Sequence, residues 1–231
     1  MGLSHSPSVV TGGLVLYLDP ANDKSYGGSK TGTTWIDPIS GGILNLQNGM
    51  SFSNSNLGIF NLDGVDDYAS ITRGDIGGSS AFTVSAWIKA STITKYSGAV
   101  SFGTSGSGKS AYIGTVGVAQ AGSTNSIGGG FYGFNVGTGV TSLNTWFMLT
   151  FTYGGGSNGT ISFYLNDSLS IAATYNSEPS IDTSNFSVGR IATDTTYNFH
   201  GSVSAVMCYN RSIQLPDIKK NFKALRGRFG L

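Results

Sequence analysis

FNLDGVDDY, Phe60 to Tyr68, and FTVSAWIK, Phe82 to Lys89, decide the fold between them. The first reads as the end of one strand, an Asp-rich turn around Gly64 and the start of the next strand. The second alternates strictly, with Phe82, Val84, Ala86 and Ile88 on one face and Thr83, Ser85, Trp87 and Lys89 on the other. A period of two in β-branched and aromatic residues marks a half-buried antiparallel strand.

Outward from this pair the pattern repeats. Strands are expected at 14–18, 58–62, 68–71, 99–102, 111–116, 130–136, 146–153, 161–165, 169–173, 186–191 and 199–209, mostly with Gly, Asn or Ser between them. Such spacing belongs to a sandwich rather than to alternating strand–helix units. Asn166-Asp167, between two short alternating runs, reads as a hairpin tip, and the small, polar residues 117–130 as a surface loop. Residues 1–11 lack periodicity and carry Pro7, which predicts an extended arm. One helix is expected at 215–226, with Pro216 in its first turn, Ile218, Phe222 and Leu225 on one face, and Gly227 to stop it. No repeat of roughly 20–50 residues divides the chain, so 12–231 reads as one domain.

Composition agrees. The 231 residues suit one large sandwich domain. With 35 glycines, 5 prolines and 11% charged residues, the chain is all-β and rich in turns, while 39% hydrophobic content excludes disorder. A net charge of +1 gives no drive toward nucleic acid or an acidic membrane surface. Cys208 is the one cysteine, so no intramolecular disulfide is expected, and its alternating surroundings predict an inert core thiol. Neither a signal peptide nor an apolar run of about 18 residues is visible, so no transmembrane segment is expected.

Several chemical motifs compete with bland readings. Gly103 to Ser110 satisfies G-x-x-x-x-G-K-[ST], but a phosphate cradle needs a helix after the loop, and Ala111 to Gly117 has strand periodicity. A Gly/Ser hairpin loop is therefore expected. Asp63, Asp66 and Asp67 form the densest acidic cluster. They read either as a calcium site, with Asp19, Asn22 and Asp37 as further oxygen donors from other loops, or as a turn capped by Asx hydrogen bonds. Trp35, Trp87 and Trp146 are expected to pack, whereas Tyr26, Tyr96 and Tyr197 are expected as exposed loop aromatics able to contact a glycan. Arg211, Lys219, Lys220, Lys223, Arg226 and Arg228 crowd the C-terminus, as a solvated helix face or as a dock for an acidic partner. His5 and His200 have no paired metal ligand at useful spacing.

The residues Gly13-Leu-Val-Leu-Tyr-Leu-Asp19, Trp35-Ile-Asp37-Pro-Ile-Ser40-Gly41, the DGVDDY turn and the FTVSAWIK strand resemble, in order, the laminin-G-like, concanavalin A-like jelly-roll domains. That resemblance implies an antiparallel jelly-roll β-sandwich with a short C-terminal helix. Glycosidases on this jelly roll carry E-x-D-x-x-E along one strand, and here Glu178 is the single glutamate, so no enzymatic activity is expected. The ending from Tyr209-Asn210-Arg211 to Arg228-Phe229-Gly230 resembles free-standing laminin-G-like proteins of tailed bacteriophages, notably those of cyanobacteria. It implies a virion structural protein on the capsid or on a head or tail appendage, made in the host cytoplasm. Other virion proteins and a host-surface glycan are the expected partners, with a cellular carbohydrate-binding or adhesion module as the alternative and a degenerate glycoside hydrolase as a third. Sheet edges open to strand addition predict a homo-oligomer, with a trimer favoured.

Overall fold

Alternation along the chain resolves into two antiparallel sheets packed face to face. The computed structural model describes residues 8–93, 95–117 and 125–231. Its strands are β1 (Leu14–Leu18), β2 (Thr34–Ile36), β3 (Ile43–Gln47), β4 (Ser51–Ser53), β5 (Ile59–Asp63), β6 (Tyr68–Ile71), β7 (Phe82–Ala90) and β8 (Ser97–Gly103). There follow β9 (Ser110–Val116), β10 (Ser126–Phe131), β11 (Phe134–Gly137), β12 (Phe147–Tyr153), β13 (Thr160–Leu165), β14 (Ser168–Thr174), β15 (Phe186–Val188), β16 (His200–Tyr209) and the helix α1 (Leu215–Leu225). The first sheet runs β14-β13-β12-β7-β16-β5-β4, with β1 also on β16, and the second runs β11-β10-β9-β8-β15-β6-β3-β2. The long β16 meets β7 on one side and is shared on the other, by β5 near Gly201–Val203 and by β1 near Val206–Tyr209.

Phe82, Val84, Ala86 and Ile88 point between the sheets as their alternation predicts, and the Phe82 ring meets Phe102 at 4.9 Å and Phe151 at 5.1 Å. The strand is not half-buried, however. Its other face is closed by the C-terminal segment, where Trp87 joins Met148, Met207, Ile218, Phe222 and Phe229 in a second apolar cluster. The Trp87 ring stacks on Phe229 at 4.0 Å and on Phe222 at 5.7 Å. Reaching Phe229 requires the chain to run past the expected stop at Gly227. It does so in a 3-10 turn, Arg226–Phe229, which ends at Gly230 in the left-handed region that glycine tolerates (φ 75°).

Gln214 provides no side-chain cap for α1. Its carbonyl instead accepts from the Asp217 and Ile218 N–H groups, while Asp217 pairs with Arg211 at 2.9 Å. Residues 1–7 of the expected arm lie outside the described residues. Just beyond them, Val10 is buried: its N–H donates to Asn221 Oδ1 (2.8 Å), its carbonyl accepts from Tyr209 Oη (3.0 Å), and Asn221 Nδ2 donates to that same hydroxyl (2.9 Å). The two ends of the chain are thereby tied together over one sheet face.

The largest departure from expectation lies at 117–137. Residues 118–124 of the expected surface loop lie outside the described residues, and 126–131 form the paired strand β10 rather than a loop. Its run Gly128-Gly129-Gly130 has no strand propensity, yet a Cβ on Gly128 would fall 2.2 Å from the Val136 carbonyl and one on Gly129 2.1 Å from that of Tyr112. Close backbone approach explains the glycines. The strand expected at 130–136 is in fact the β10–β11 hairpin, with Tyr132 and Gly133 at its tip.

Candidate functional site

The outer face of the second sheet carries a cavity of about 260 Å³, lined by Tyr96, Tyr112, Tyr132, Gly133, Asn135, Ile191 and Tyr197. Each element contributes for a local reason. In β9, Ala111 and Ile113 turn into the core, so strand alternation turns Tyr112 outward. Asn135 does the same between Phe134 and Val136 in β11, and Tyr112 Oη donates to its Oδ1 at 2.5 Å. Tyr96 comes from the β7–β8 loop, and Tyr132 from the β10–β11 tip.

Ile191 and Tyr197 come from the β15–β16 loop, which is pinned to the sheet through Ser101. The Ser101 hydroxyl donates to the Arg190 carbonyl (2.8 Å) and accepts from the Ala192 N–H (2.7 Å). Tyr197 stands edge-on to Tyr96 at 6.1 Å and to Tyr132 at 6.4 Å, making a corner of three rings. Burial, with Tyr96 and Tyr197 nearby, pushes the Tyr112 phenol well above its ordinary pKa. Burial, then Tyr197 and Asp194, raise that of Tyr132. Both hydroxyls therefore stay protonated at neutral pH and serve as hydrogen-bonding groups beside apolar ring faces.

Tyr96 and Tyr197, two of the three tyrosines expected to contact a glycan, thus meet in one place. Tyr26 does not. It is 2% exposed, its ring packs on Phe52 and Phe60, and its hydroxyl donates to the Gly32 carbonyl at 2.7 Å. The loop that carries it folds back onto the core, so an exposed position is corrected to a buried one. Tyr112, Tyr132 and Asn135 were not expected. The outward position of Tyr112 follows from the alternation of β9, whereas Tyr132 was hidden inside a run read as one strand.

The three carboxylates of the DGVDD turn do come together, with oxygens within 4.8 Å of one another. Asp63 Oδ1 accepts from the Val65 N–H (2.8 Å), and Asp67 Oδ2 from the Asp63 N–H (3.0 Å), which is the capped turn of the architectural reading. These backbone N–H groups hold the Asp63 carboxyl below its ordinary pKa. Asp67 is 5% exposed, its Oδ1 is buried with no hydrogen-bond partner, and burial raises its pKa. A cavity of about 300 Å³ lies beside it, lined also by Asn48, Gly49, Ser51 and Asn61. Asp19 and Asp37 are engaged elsewhere: Asp19 with Arg228 at 2.8 Å and Asp37 with Arg73 at 3.1 Å. Asn22 caps its own turn through the Lys24 N–H.

Gly103 to Ser110 joins β8 to β9 as an antiparallel hairpin, with Gly103 opposite Ser110, so no helix N-terminus faces a phosphate there. Trp35 and Trp87 are fully buried and Trp146 lies under Phe229 at 4.8 Å. Cys208 is fully buried, which pushes its thiol pKa up. Of the six C-terminal cations, Arg228 turns inward to Asp19 and Arg211 pairs with Asp217 at the surface, while Lys219, Lys220, Lys223 and Arg226 are exposed. Among the described residues no helix is long and apolar enough to cross a membrane.

Two antiparallel sheets packed as a jelly roll, with a short C-terminal helix, define the class of concanavalin A-like sandwiches. The chain belongs to the laminin G branch of the concanavalin A-like lectin/glucanases superfamily, whose family model matches residues 63–219. No curated protein matches it. Among solved structures it is similar to domain 4 of AbnA, a GH43 extracellular arabinanase from Geobacillus stearothermophilus in complex with arabinotriose (14% identity, TM-score 0.63, 90% of this chain and 97% of that one). It is also similar to Trypanosoma rangeli sialidase in complex with sialic acid (17%, 0.61, 96% and 34%). The receptor binding domain of botulinum neurotoxin C/D mosaic serotype is a third (14%, 0.65, 91% and 51%). At such identities the likeness is one of fold, and the chain spans about a third of the sialidase and about half of the toxin domain.

Proposed function

We propose that this chain is a non-catalytic glycan-binding sandwich that serves as a structural protein of a virion, on the capsid surface or on a head or tail appendage, where it contacts host-surface sugars. One observation carries the binding part: Tyr96 and Tyr197 converge with Tyr112, Tyr132 and Asn135 around one pre-formed cavity. Ring faces that pack on the apolar side of a sugar, beside phenol and carboxamide groups for its hydroxyls, are what such a ligand needs. Sugar hydrolysis needs two carboxylates across the bound ring, and none lines this cavity among the described residues. The virion part is supported by the resemblance of the C-terminal segment to phage proteins.

Assembly into a homo-oligomer, with a trimer favoured, belongs to the same reading. It is supported by β14, an edge strand of sequence SLSIAAT that is open to solvent and bears no charge to discourage pairing. Calcium at Asp63, Asp66 and Asp67 is a second proposal, favoured by the orphaned, buried Oδ1 of Asp67. A glycan array probed with the wild type and Tyr197→Ala tests the binding. Capture of host glycans by the first and not the second is the expected result, and equal capture by both would remove the cavity from the argument. Mass spectrometry and cryo-EM of purified particles test the location, and a cellular adhesion module would be absent from them.

A further inference from the structure

We infer that the ligand of the tyrosine cavity is a single uncharged sugar ring. This rests on the reading of the cavity as a glycan site and narrows it by charge and by size. The lining side chains are four phenols, one carboxamide and one isoleucine, beside Gly133. Three charged residues flank the cavity in sequence; none of them lines it, and each has a partner of its own. Lys95, next to Tyr96, donates from Nζ to the Thr196 carbonyl at 2.9 Å. Asp194 accepts from the Thr196 N–H at 2.8 Å and from its hydroxyl at 2.6 Å. Arg190, next to Ile191, sits over the Tyr68 ring, its guanidinium carbon 3.5 Å from the ring centroid.

An acidic sugar would therefore bring a carboxylate into a partly desolvated site that no cation lines among the described residues, and an unpaired charge in such a place is strongly disfavoured. The charge of Asp194, which helps raise the Tyr132 pKa, works in the same direction. A neutral pyranose or furanose asks only for ring faces and hydrogen-bonding groups, and both are present. At about 260 Å³ the cavity falls below the roughly 300–1,000 Å³ of sites for drug-sized ligands, which favours contact with one ring over contact with a chain.

The test is ligand-observed NMR on the full chain with methyl glycosides of galactose, glucose, mannose and arabinose, beside N-acetylneuraminic and glucuronic acids. At least one neutral glycoside is expected to bind about ten-fold or more tightly than either acid, with a neutral trisaccharide of that sugar gaining no more than about three-fold. Tyr197→Ala should weaken that binding by about ten-fold or more while leaving the thermal transition in place. Tyr96→Ala, on a different loop, should do the same and serves if the first variant folds poorly. An acid that binds as well as the neutral sugars, and is lost in these variants, would overturn the inference while the glycan reading stood. A large gain for the trisaccharide would overturn the single ring. No binding by either class, or binding indifferent to both variants, would overturn inference and reading together.

Discussion

The outer faces of the two sheets receive their aromatic residues in opposite ways. Over the first sheet, α1 and the turn after it lay Phe222 and Phe229 on Trp87, and the face is sealed. Over the second, the β15–β16 loop covers the sheet only in part, and Tyr197 leans against Tyr96 and Tyr132 without filling the corner they make. The difference teaches that the cover, more than the aromatic residue, decides between packing and recognition. An amphipathic helix brings a continuous apolar stripe and excludes water. A polar loop held by Ser101 hydrogen bonds brings a ring that meets its neighbours edge-on rather than a continuous apolar stripe, and so leaves a cavity.

The largest expected effect breaks the sealed face. Trp87→Ala removes a fully buried ring from between β7 and α1 and should destabilise the fold by about 3–5 kcal/mol. At about 2–4 °C per kcal/mol for a chain of this size, calorimetry should record a fall in Tm of about 6–20 °C. Trp87→Phe should cost far less, because the indole N–H it removes is buried with no partner. A Tm for Trp87→Ala within a degree of wild type would mean that the helix does not seal this face.

A tyrosine pair sharpens the contrast within one residue type. Tyr26→Ala empties a packed site between Phe52 and Phe60 and should cost about 3 kcal/mol without altering sugar binding. Tyr197→Ala should cost less than about 1 kcal/mol, since its ring is only partly buried against the small outer cluster, yet weaken binding by about ten-fold or more. Reversed results would exchange the roles assigned to the two residues. Both were expected to be exposed loop aromatics, and the reason Tyr26 is a buried one follows from what a linear pattern contains. Period two locates β7 and the turn before it because a strand's neighbours are along its own axis. Whether the long loop after β1 doubles back so that Tyr26 reaches Phe60 depends on contacts some 34 positions away in the chain, which no local period records. The same limit hid the sealing of Trp87. The apolar face of α1 is plain in Ile218 and Phe222, but its target is not. Tyr132 was lost for a different reason, because Gly128-Gly129-Gly130 is chosen for backbone approach and so erases the strand signal that would have exposed the hairpin.

The acidic turn, whose Val65 carbonyl accepts from Asn198 Nδ2 of the β15–β16 loop, offers a pH-dependent test. A carboxyl whose pKa is raised on folding stabilises the fold below its ordinary value near 3.8 and loses that contribution as the pH climbs through the raised value. Asp67→Asn should therefore match or exceed the wild type at pH 7, by up to about 1 kcal/mol, and show no such gain at pH 3. Calcium, if it binds here, should raise the wild-type Tm by about 2–4 °C at pH 7 and leave Asp67→Asn unmoved. A calcium response that survives in the variant would place the ion elsewhere.

The smallest expected effect is none. Lys109 stands in the one stretch whose residues spell a nucleotide-binding motif, yet the loop closes an antiparallel hairpin: Thr104 N–H donates to the Lys109 carbonyl (3.2 Å), and Lys109 N–H to that of Gly106 (3.0 Å). A phosphate cradle depends on successive amides pointing into one concavity at the start of a helix. Here two of the amides are already used to close the loop, the next element is β9, and the Lys109 side chain is exposed. Lys109→Ala should leave Tm within about 0.5 kcal/mol equivalent of wild type, and magnesium–ATP should shift the melting of neither protein. Saturable nucleotide binding that disappears in the variant would show that a hairpin tip can do what the helix N-terminus does elsewhere. It would also give the β8–β9 end of the second sheet a role of its own, beside the tyrosine cavity on its face.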